Sequence, residues 1–214
     1  MEPEIERLRE SLRAIVPLFD VDGSHDLDHL DRVWTNCSRL SRSFAEGQVD
    51  RTVLVAATYL HNCVCLPKDH PNRKRSSAMA AEESVVHLEK LDFPADRMGS
   101  LKHCILAHSK SAGISANTLE AKVSSDADKL DSLGAIGIAR LFYTSGCLGQ
   151  RMLHPTDPMA LDRVANGQLY ALDYYVETLA KLNDAFHLDV AKAEGERRAS
   201  EMAQIVSLLV EPWP

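Results

Sequence analysis

The stretch DRTVLVAATYLHN, residues 50–62, is apolar on nearly every face of the helix that its composition favours. A helix that is apolar all round lies buried on every side. We therefore place it at the centre of a bundle of helices. It ends in His61 and Asn62, and the chain then continues into a dense basic loop. The sequence thus raises the question of what a His-Asn pair does at the end of a central helix.

The apolar residues on both sides of this stretch also recur at helical spacing. The spacing predicts further helices over about residues 1–16, 27–46, 76–91, 93–109, 118–146, 163–182 and 189–210. We expect serine caps at the start of the 76–91 helix, and a break near residues 132–134 that could divide the 118–146 segment in two. No segment has a convincing strand pattern. The predicted fold is all-α, a single-domain helical bundle over residues 1–214.

Composition excludes several classes of function. The 214 residues are 45% hydrophobic and 26% charged, as in ordinary soluble globular proteins. The net charge of -7 argues against general binding to a nucleic acid duplex, although a local basic patch could still hold a phosphate. No apolar stretch is long enough to cross a membrane, and the N-terminus reads as an acidic amphipathic helix rather than a signal peptide. The five cysteines follow no zinc-ribbon spacing, so we expect mostly buried free thiols in a cytoplasmic protein.

Histidines are concentrated in the first half of the chain, where seven of the nine fall between His25 and His108. In SHDLDHLDRV, His25 and His29 lie at i and i+4, about 40° apart on one face if the helix extends that far. Two histidines so placed can share a metal or another ligand. The alternative for His25 is a surface residue at a helix N-terminus.

His61 stands at the end of the central helix. A histidine at the edge of a buried helix is more often a core residue with satisfied hydrogen bonds than a ligand. Asn62 makes a ligand role more credible, because it supplies a carbonyl oxygen at the same helix end. The two adjacent side chains could converge on an ion lying beyond that end.

The segment DADKLD places Asp126, Asp128 and Asp131 among apolar residues. Carboxylates in such a segment are destabilising unless they are paired or coordinate an ion. Asp126 and Asp128 lie about 200° apart on a helix, so one ion would not readily take both directly. The alternative is helix capping together with salt bridges to Lys129 and Lys122.

The loop KDHPNRKRSS is densely basic and stands immediately before a predicted helix. Helix N-termini favour anions, and cationic side chains reinforce that preference. We interpret the loop as a phosphate cradle, with a solvated basic loop as the alternative. Its candidate residues are Lys68, His70, Arg73, Lys74 and Arg75. Farther along, His108 lies near a helix end and could contact a phosphate or act as an acid, whereas we expect His103 to be a partly exposed helix residue.

Three motifs in order carry a resemblance to a known family: His29 in HLDRV, His61-Asn62 in YLHN, and Asp128 in ADKL. Together they resemble the HD superfamily of metal-dependent phosphohydrolases, and most closely its short stand-alone bacterial members. The resemblance covers about residues 22–175. Each motif alone is weak, but their order and spacing together are specific.

The resemblance implies an all-α HD core over about residues 22–145, with C-terminal helices over about 163–210 packed on it. It also implies one or two divalent ions, such as Mn²⁺ or Mg²⁺, that activate a water for attack on phosphorus. His29, His61 and Asp128 would be metal ligands, with Asn62 in the remaining ligand position and with Asp128 and His108 acting in catalysis. The implied substrate is a small phosphorylated molecule, with nucleotides as the favoured class. The residues implied to contact it are His25, Lys68, His70, Arg73 and Arg75.

Asn62 departs from the His-Asp pair that names the superfamily. It replaces a full negative charge with a carbonyl dipole, which should lower metal affinity, although a more positive site should attract phosphate more strongly. Three explanations stay open: an engineered inactive variant, a natural enzyme with weakened metal binding, or a non-catalytic relative that binds nucleotides. The C-terminal IVSLLVEPWP would suit either internal packing or a homodimer contact.

Overall fold

The computed structural model describes residues 2–19, 23–66, 70–109 and 112–211. Their secondary structure is helical, with short 3-10 turns between the α-helices and no strand among the described residues, so the all-α prediction is confirmed. The helices are α1 (Glu2–Ile15), α2 (Leu27–Ser41), α3 (Arg51–Leu60), α4 (Ser76–Glu89), α5 (Met98–His108), α6 (Leu119–Asp131), α7 (Gly134–Cys147), α8 (Ala171–Glu177) and α9 (Asp189–Val210).

The chain divides into two compact units, residues 1–128 and residues 129–214. The first unit contains α1 to α5 and most of α6, and the second contains α7 to α9. The expectation of one domain over the whole chain stays a prediction.

Helix α3 is the centre of the first unit, as its composition predicted. All residues from Val53 to Leu60 are buried, and α3 packs against α1, α2, α4 and α5. Asp50 caps its N-terminus by accepting from the backbone N–H groups of Thr52 and Val53. Because neighbouring helices pack against α3 on every side, they hold its C-terminal end in place, and with it the residues that follow Leu60.

A polar network attaches α1 to the two helices beneath it. The hydroxyl of Tyr59 in α3 donates to Asp31 Oδ1 in α2 at 2.6 Å and accepts from Arg9 Nε in α1 at 2.9 Å. Arg13, one turn farther along α1, pairs with the same carboxylate. Because each polar atom has a partner, the network can be half-buried without a large desolvation penalty.

The second unit has an apolar core formed by α7, α8 and α9. The prediction of a helix over 163–182 is wrong in its first half, since α8 begins only at Ala171. Arg163 donates to both carboxylate oxygens of the fully buried Asp173, at 2.5 and 2.6 Å, and the backbone N–H of Asn166 donates to the same carboxylate. These contacts fold residues 163–166 back onto α8, which a continuous helix would prevent.

Two other predictions about helix ends are wrong, and one about a helix break is confirmed. Helix α2 ends at Ser41 instead of residue 46. The segment 118–146 forms two helices with the break near residues 132–134 that the sequence predicted, and Gly134, whose φ is +71°, lies at this break. The predicted serine caps of α4 are wrong, because its N-cap residue is Arg75 and no side chain caps the helix.

The five cysteines are free thiols, and Cys37, Cys63 and Cys104 are buried, as expected. None of the helices in the described part of the chain combines the length and apolar character needed to span a bilayer. The cytoplasmic location and the homodimer contact stay predictions.

We predict that Asp173→Asn lowers the Tm by about 5–10 °C at neutral pH, because it leaves Arg163 facing a neutral partner in a buried pair. The hydrogen bonds from Arg163 hold the pKa of Asp173 below its usual range. Its stabilising effect is therefore complete above the unfolded pKa of about 3.9 and is lost as the pH falls through the lower folded pKa. Thermal melts of both proteins from neutral to acidic pH should show their Tm values converging in acid.

Arg197→Gln provides a matched control, since Arg197 forms ion pairs on an exposed face of α9. Exposed pairs contribute little to stability. An equal loss of Tm in both variants would contradict the importance given to the buried pair.

Candidate metal centre and adjoining pocket

His61 lies at the C-terminal end of α3, where its ring orientation is fixed by the backbone. Its Nδ1 is 2.8 Å from the carbonyl oxygen of Thr58, which can only accept, so Nδ1 carries the hydrogen and Nε2 presents a lone pair. Burial, reinforced by the neighbouring His108, lowers the pKa of His61 to about 3. The ring is therefore neutral at physiological pH, which is the form that binds a metal ion.

His29 comes from the first turn of α2. Asp26 caps that helix and accepts from the backbone N–H of His29 at 2.9 Å. The His29 ring is fully buried, and its centroid is 5.7 Å from that of His61. Helix α2 begins at Leu27, so His25 does not share a helical face with His29, but the two ring centroids are still only 5.9 Å apart.

Asp128 in α6 faces both imidazoles. Its Oδ1 is 3.5 Å from Nε2 of His29 and 3.9 Å from Nε2 of His61. The buried side chain of Asn36 in α2 donates to the carbonyl of Ala127 at 3.0 Å, which ties this part of α6 to the helix that carries His29. Sequence reasoning missed Asn36, since a polar residue in an amphipathic helix gives no sign of such a long-range contact.

The ligand atoms of His29, His61 and Asp128 all lie within 4.8 Å of one another. Two imidazole nitrogens and one carboxylate oxygen suit first-row divalent ions such as Mn²⁺. The Nε2 lone pair of His61, which the bond to Thr58 holds in one orientation, also suits a metal ion. The described residues therefore contain a cluster that could hold a divalent ion, and it consists of the residues that the sequence motifs indicated.

Asn62 also approaches this cluster, but with its nitrogen. Its Nδ2 is 2.8 Å from Nε2 of His61. Because His61 Nδ1 carries the ring hydrogen, Asn62 must be the donor and His61 Nε2 the acceptor. The amide thus contacts the lone pair that an ion would need, and an Asp carboxylate could not donate in this way. The role of Asn62 as a metal ligand stays a prediction.

His108 ends α5 beside the same cluster. Its ring centroid is 4.8 Å from that of His61, and its Nδ1 is 2.5 Å from the carbonyl oxygen of Ile105. Burial lowers the pKa of His108. Two histidines at the ends of different helices are thus held in the same way, each with Nδ1 bonded to a carbonyl three residues back.

A cleft adjoins the cluster at His61 and Asn62. Its lining combines the two histidines with polar residues of the loop and of the first turn of α4. The lining residues are His61, Asn62, Val64, Cys65, Arg73, Ser76, Ser77, His108 and Ser109.

The structure brings only part of the predicted phosphate cradle into this cleft. Arg73 lines it and donates to the carbonyl of Leu66. His70 is half-buried and accepts from the backbone N–H of Asn72 at 3.1 Å. Arg75 is exposed and is not among the lining residues. Lys68 lies outside the described residues. The substrate- and phosphate-binding roles predicted for His25, Lys68, His70, Arg73 and Arg75 all stay predictions.

Comparison with protein families adds an independent observation. The model of the HD domain matches residues 26–133, a range that includes the three ligand motifs. This chain belongs to the HD domain family. His29, His61 and Asp128, which the structure brings together, all lie within the matched range.

Relatives of this HD-domain protein cover nearly its whole length. The uncharacterized protein YpgQ of Bacillus subtilis is 25% identical over 99% of this chain and 94% of its own length. A crystal structure of YpgQ in complex with ADP matches with a TM-score of 0.69 over 99% of this chain and 96% of that one, at 22% identity. An HD-superfamily hydrolase from Bacillus thuringiensis is 30% identical, with a TM-score of 0.70 over 98% of this chain and 96% of that one.

The contact between Asn62 and His61 leads to a prediction about ion binding. We expect Asn62→Asp to bind Mn²⁺ at least about tenfold more tightly, because it adds a charge and removes the N–H donor; even indirect changes around a metal commonly have effects of this size. We expect Asn62→Ala to bind Mn²⁺ no more weakly than the parent, because it also releases His61 Nε2. Mn²⁺ titration followed by electron paramagnetic resonance measures all three affinities.

His29→Ala serves as the control that removes a ligand, and it should bind Mn²⁺ most weakly. If Asn62→Ala binds Mn²⁺ clearly more weakly than the parent, then Asn62 is an oxygen ligand, and the amide does not compete for His61.

Proposed function

We propose that this protein is a divalent-metal-dependent phosphohydrolase that acts on a small phosphorylated substrate, with nucleotides as the favoured class. The observation that carries the proposal is the convergence of His29, His61 and Asp128 beside a cleft lined by Arg73. Membership of the HD domain family and the similarity to an HD-superfamily hydrolase support the hydrolytic chemistry.

The chain's own residues have distinct roles in this proposal. His29, His61 and Asp128 would hold a divalent ion, and that ion would supply acidification of a water and neutralisation of charge on phosphoryl oxygens. Arg73, which lines the cleft, binds the phosphate chain. His108 has its Nδ1–H directed to a carbonyl, so Nε2 is the atom that takes up or releases a proton beside the substrate. The carboxylate of Asp128 orients the attacking water by accepting its hydrogen bond.

Nucleotides are the favoured substrate class because YpgQ, which is similar over nearly the whole chain, was crystallised with ADP. A nucleoside triphosphate would present its phosphate chain to Arg73. We propose release of either pyrophosphate or orthophosphate, depending on which phosphorus lies beside His29 and His61.

A second candidate function is a nucleotide-binding protein with weak or no catalysis. Asn62 favours it, because the amide contacts His61 Nε2 at 2.8 Å and because the three ligands retain only one formal negative charge. The cleft with Arg73 does not depend on that charge. Such a protein would bind a nucleotide without efficient hydrolysis.

The test compares the parent with Asn62→Asp on a panel of nucleoside triphosphates with Mn²⁺, and identifies the phosphate product. We expect Asn62→Asp to turn over at least about tenfold faster than the parent at limiting Mn²⁺, because it restores ligand charge. EDTA should abolish the activity of both proteins.

His61→Ala in the Asn62→Asp background is the control, and it should be inactive at any Mn²⁺ concentration. Binding of nucleotide by the parent without turnover, together with turnover by Asn62→Asp, would favour the second candidate for this chain. Metal-replete proteins that neither hydrolyse nor bind any phosphoester would contradict both candidates.

A further inference from the structure

The hydroxyl of Ser77 is a feature of the cleft that the proposed chemistry leaves unused. Ser77 is 3% exposed, and its Oγ has no hydrogen-bond partner among the residues that the structure describes. Ser77 is nevertheless one of the residues that line the cleft, together with His61 and Arg73. Buried polar groups are nearly always hydrogen-bonded, and leaving one without a partner is unfavourable. An unpaired hydroxyl at the wall of a cleft therefore indicates a ligand with an acceptor atom.

The preceding residue, Ser76, provides the contrast. Its Oγ donates to the carbonyl of Val64 and accepts from the backbone N–H of Leu66, both at 3.0 Å. These bonds hold the segment after α3 against the start of α4. Two serines in the same helical turn thus line the same cleft, but only the Ser76 hydroxyl makes hydrogen bonds within the described part of the chain.

Arg73 brings the positive charge that such a ligand would need. Within the described part of the chain, its bonds to the Leu66 carbonyl and to Cys65 Sγ both use Nη1. Nε and Nη2 can therefore donate to a ligand, and guanidinium groups bind phosphate oxygens well. The cleft also lies at the start of α4, where the helix dipole adds positive potential.

We propose that Ser77 is a substrate-binding residue that donates its hydroxyl hydrogen to a non-bridging phosphate oxygen held beside Arg73. A phosphate group has several acceptor oxygens, so it can accept from Ser77 and from Arg73 at the same time. The identity of the ligand rests on the proposed function. The place of the contact rests on the burial of Ser77 and on its lack of a partner in the described residues.

The test measures binding of inorganic pyrophosphate by isothermal titration calorimetry in the presence of EDTA, so that neither metal binding nor hydrolysis contributes. We expect Ser77→Ala to weaken binding about tenfold, the effect of one hydrogen bond to a charged acceptor. Ser77→Thr keeps the hydroxyl and should restore most of the affinity. Thermal melts without ligand should show that Ser77→Ala is as stable as the parent.

Ser76→Ala is the matched variant, and it should lower the Tm because it removes two bonds that the fold uses. The proposal is overturned if the parent does not bind pyrophosphate, if Ser77→Ala binds it as tightly as the parent, or if Ser77→Ala loses as much Tm as Ser76→Ala. Pyrophosphate binding that depends on Ser77, in a protein that hydrolyses no nucleotide even as Asn62→Asp, would refute the proposed hydrolysis and uphold this inference.

Discussion

The hydrogen bond from His61 Nδ1 to the carbonyl of Thr58 determines what the centre of the first unit can bind. At the end of a helix the last carbonyls lack an intrahelical partner, and a buried end must find partners elsewhere. The His61 side chain supplies one, and in doing so it directs Nε2 outward with its lone pair. His108 does the same with the carbonyl of Ile105. The carbonyls at two helix ends therefore find their partners in His61 and His108, two of the residues that line the cleft.

Burial gives these rings their chemical character. A buried imidazole has a lowered pKa because the charged form loses its hydration, so His61 stays neutral and can donate its lone pair. Since an imidazole brings no negative charge, the negative charge in the cluster of His29, His61 and Asp128 comes from Asp128. With Asn62 in place of an acid, a divalent ion would meet one carboxylate instead of two, while the amide hydrogen contacts one of its nitrogen ligands. The missing carboxylate and the amide contact with His61 both weaken the binding of a divalent ion.

The central helix and the three ligand motifs could be predicted from sequence because their signals are local. The eight successive buried residues of α3 are mostly apolar, so the sequence itself indicates a buried helix. The His61-Asn62 pair directly follows that helix. The start of α8 could not be predicted, because the residues before it also have apolar side chains at helical spacing. There the contact of Arg163 with Asp173 keeps the chain from forming a helix. Ser76 and Ser77 could not be distinguished either, since the difference depends on where the segment after α3 folds back.

The groups expected to hold an ion and those expected to hold a phosphate come from different parts of the chain. His29, His61 and Asp128 project from α2, α3 and α6, whereas Arg73 and Ser77 belong to the loop and the first turn of α4. A substitution at Asn62 can therefore weaken the first set without disturbing the second. A chain that kept the cleft but lost the acid would still present Arg73 and Ser77 to a phosphate. Under the proposed function, a chain with Asn62 would keep the phosphate-binding groups while its metal ligands are weakened, and we therefore expect Asn62 to affect hydrolysis more than binding.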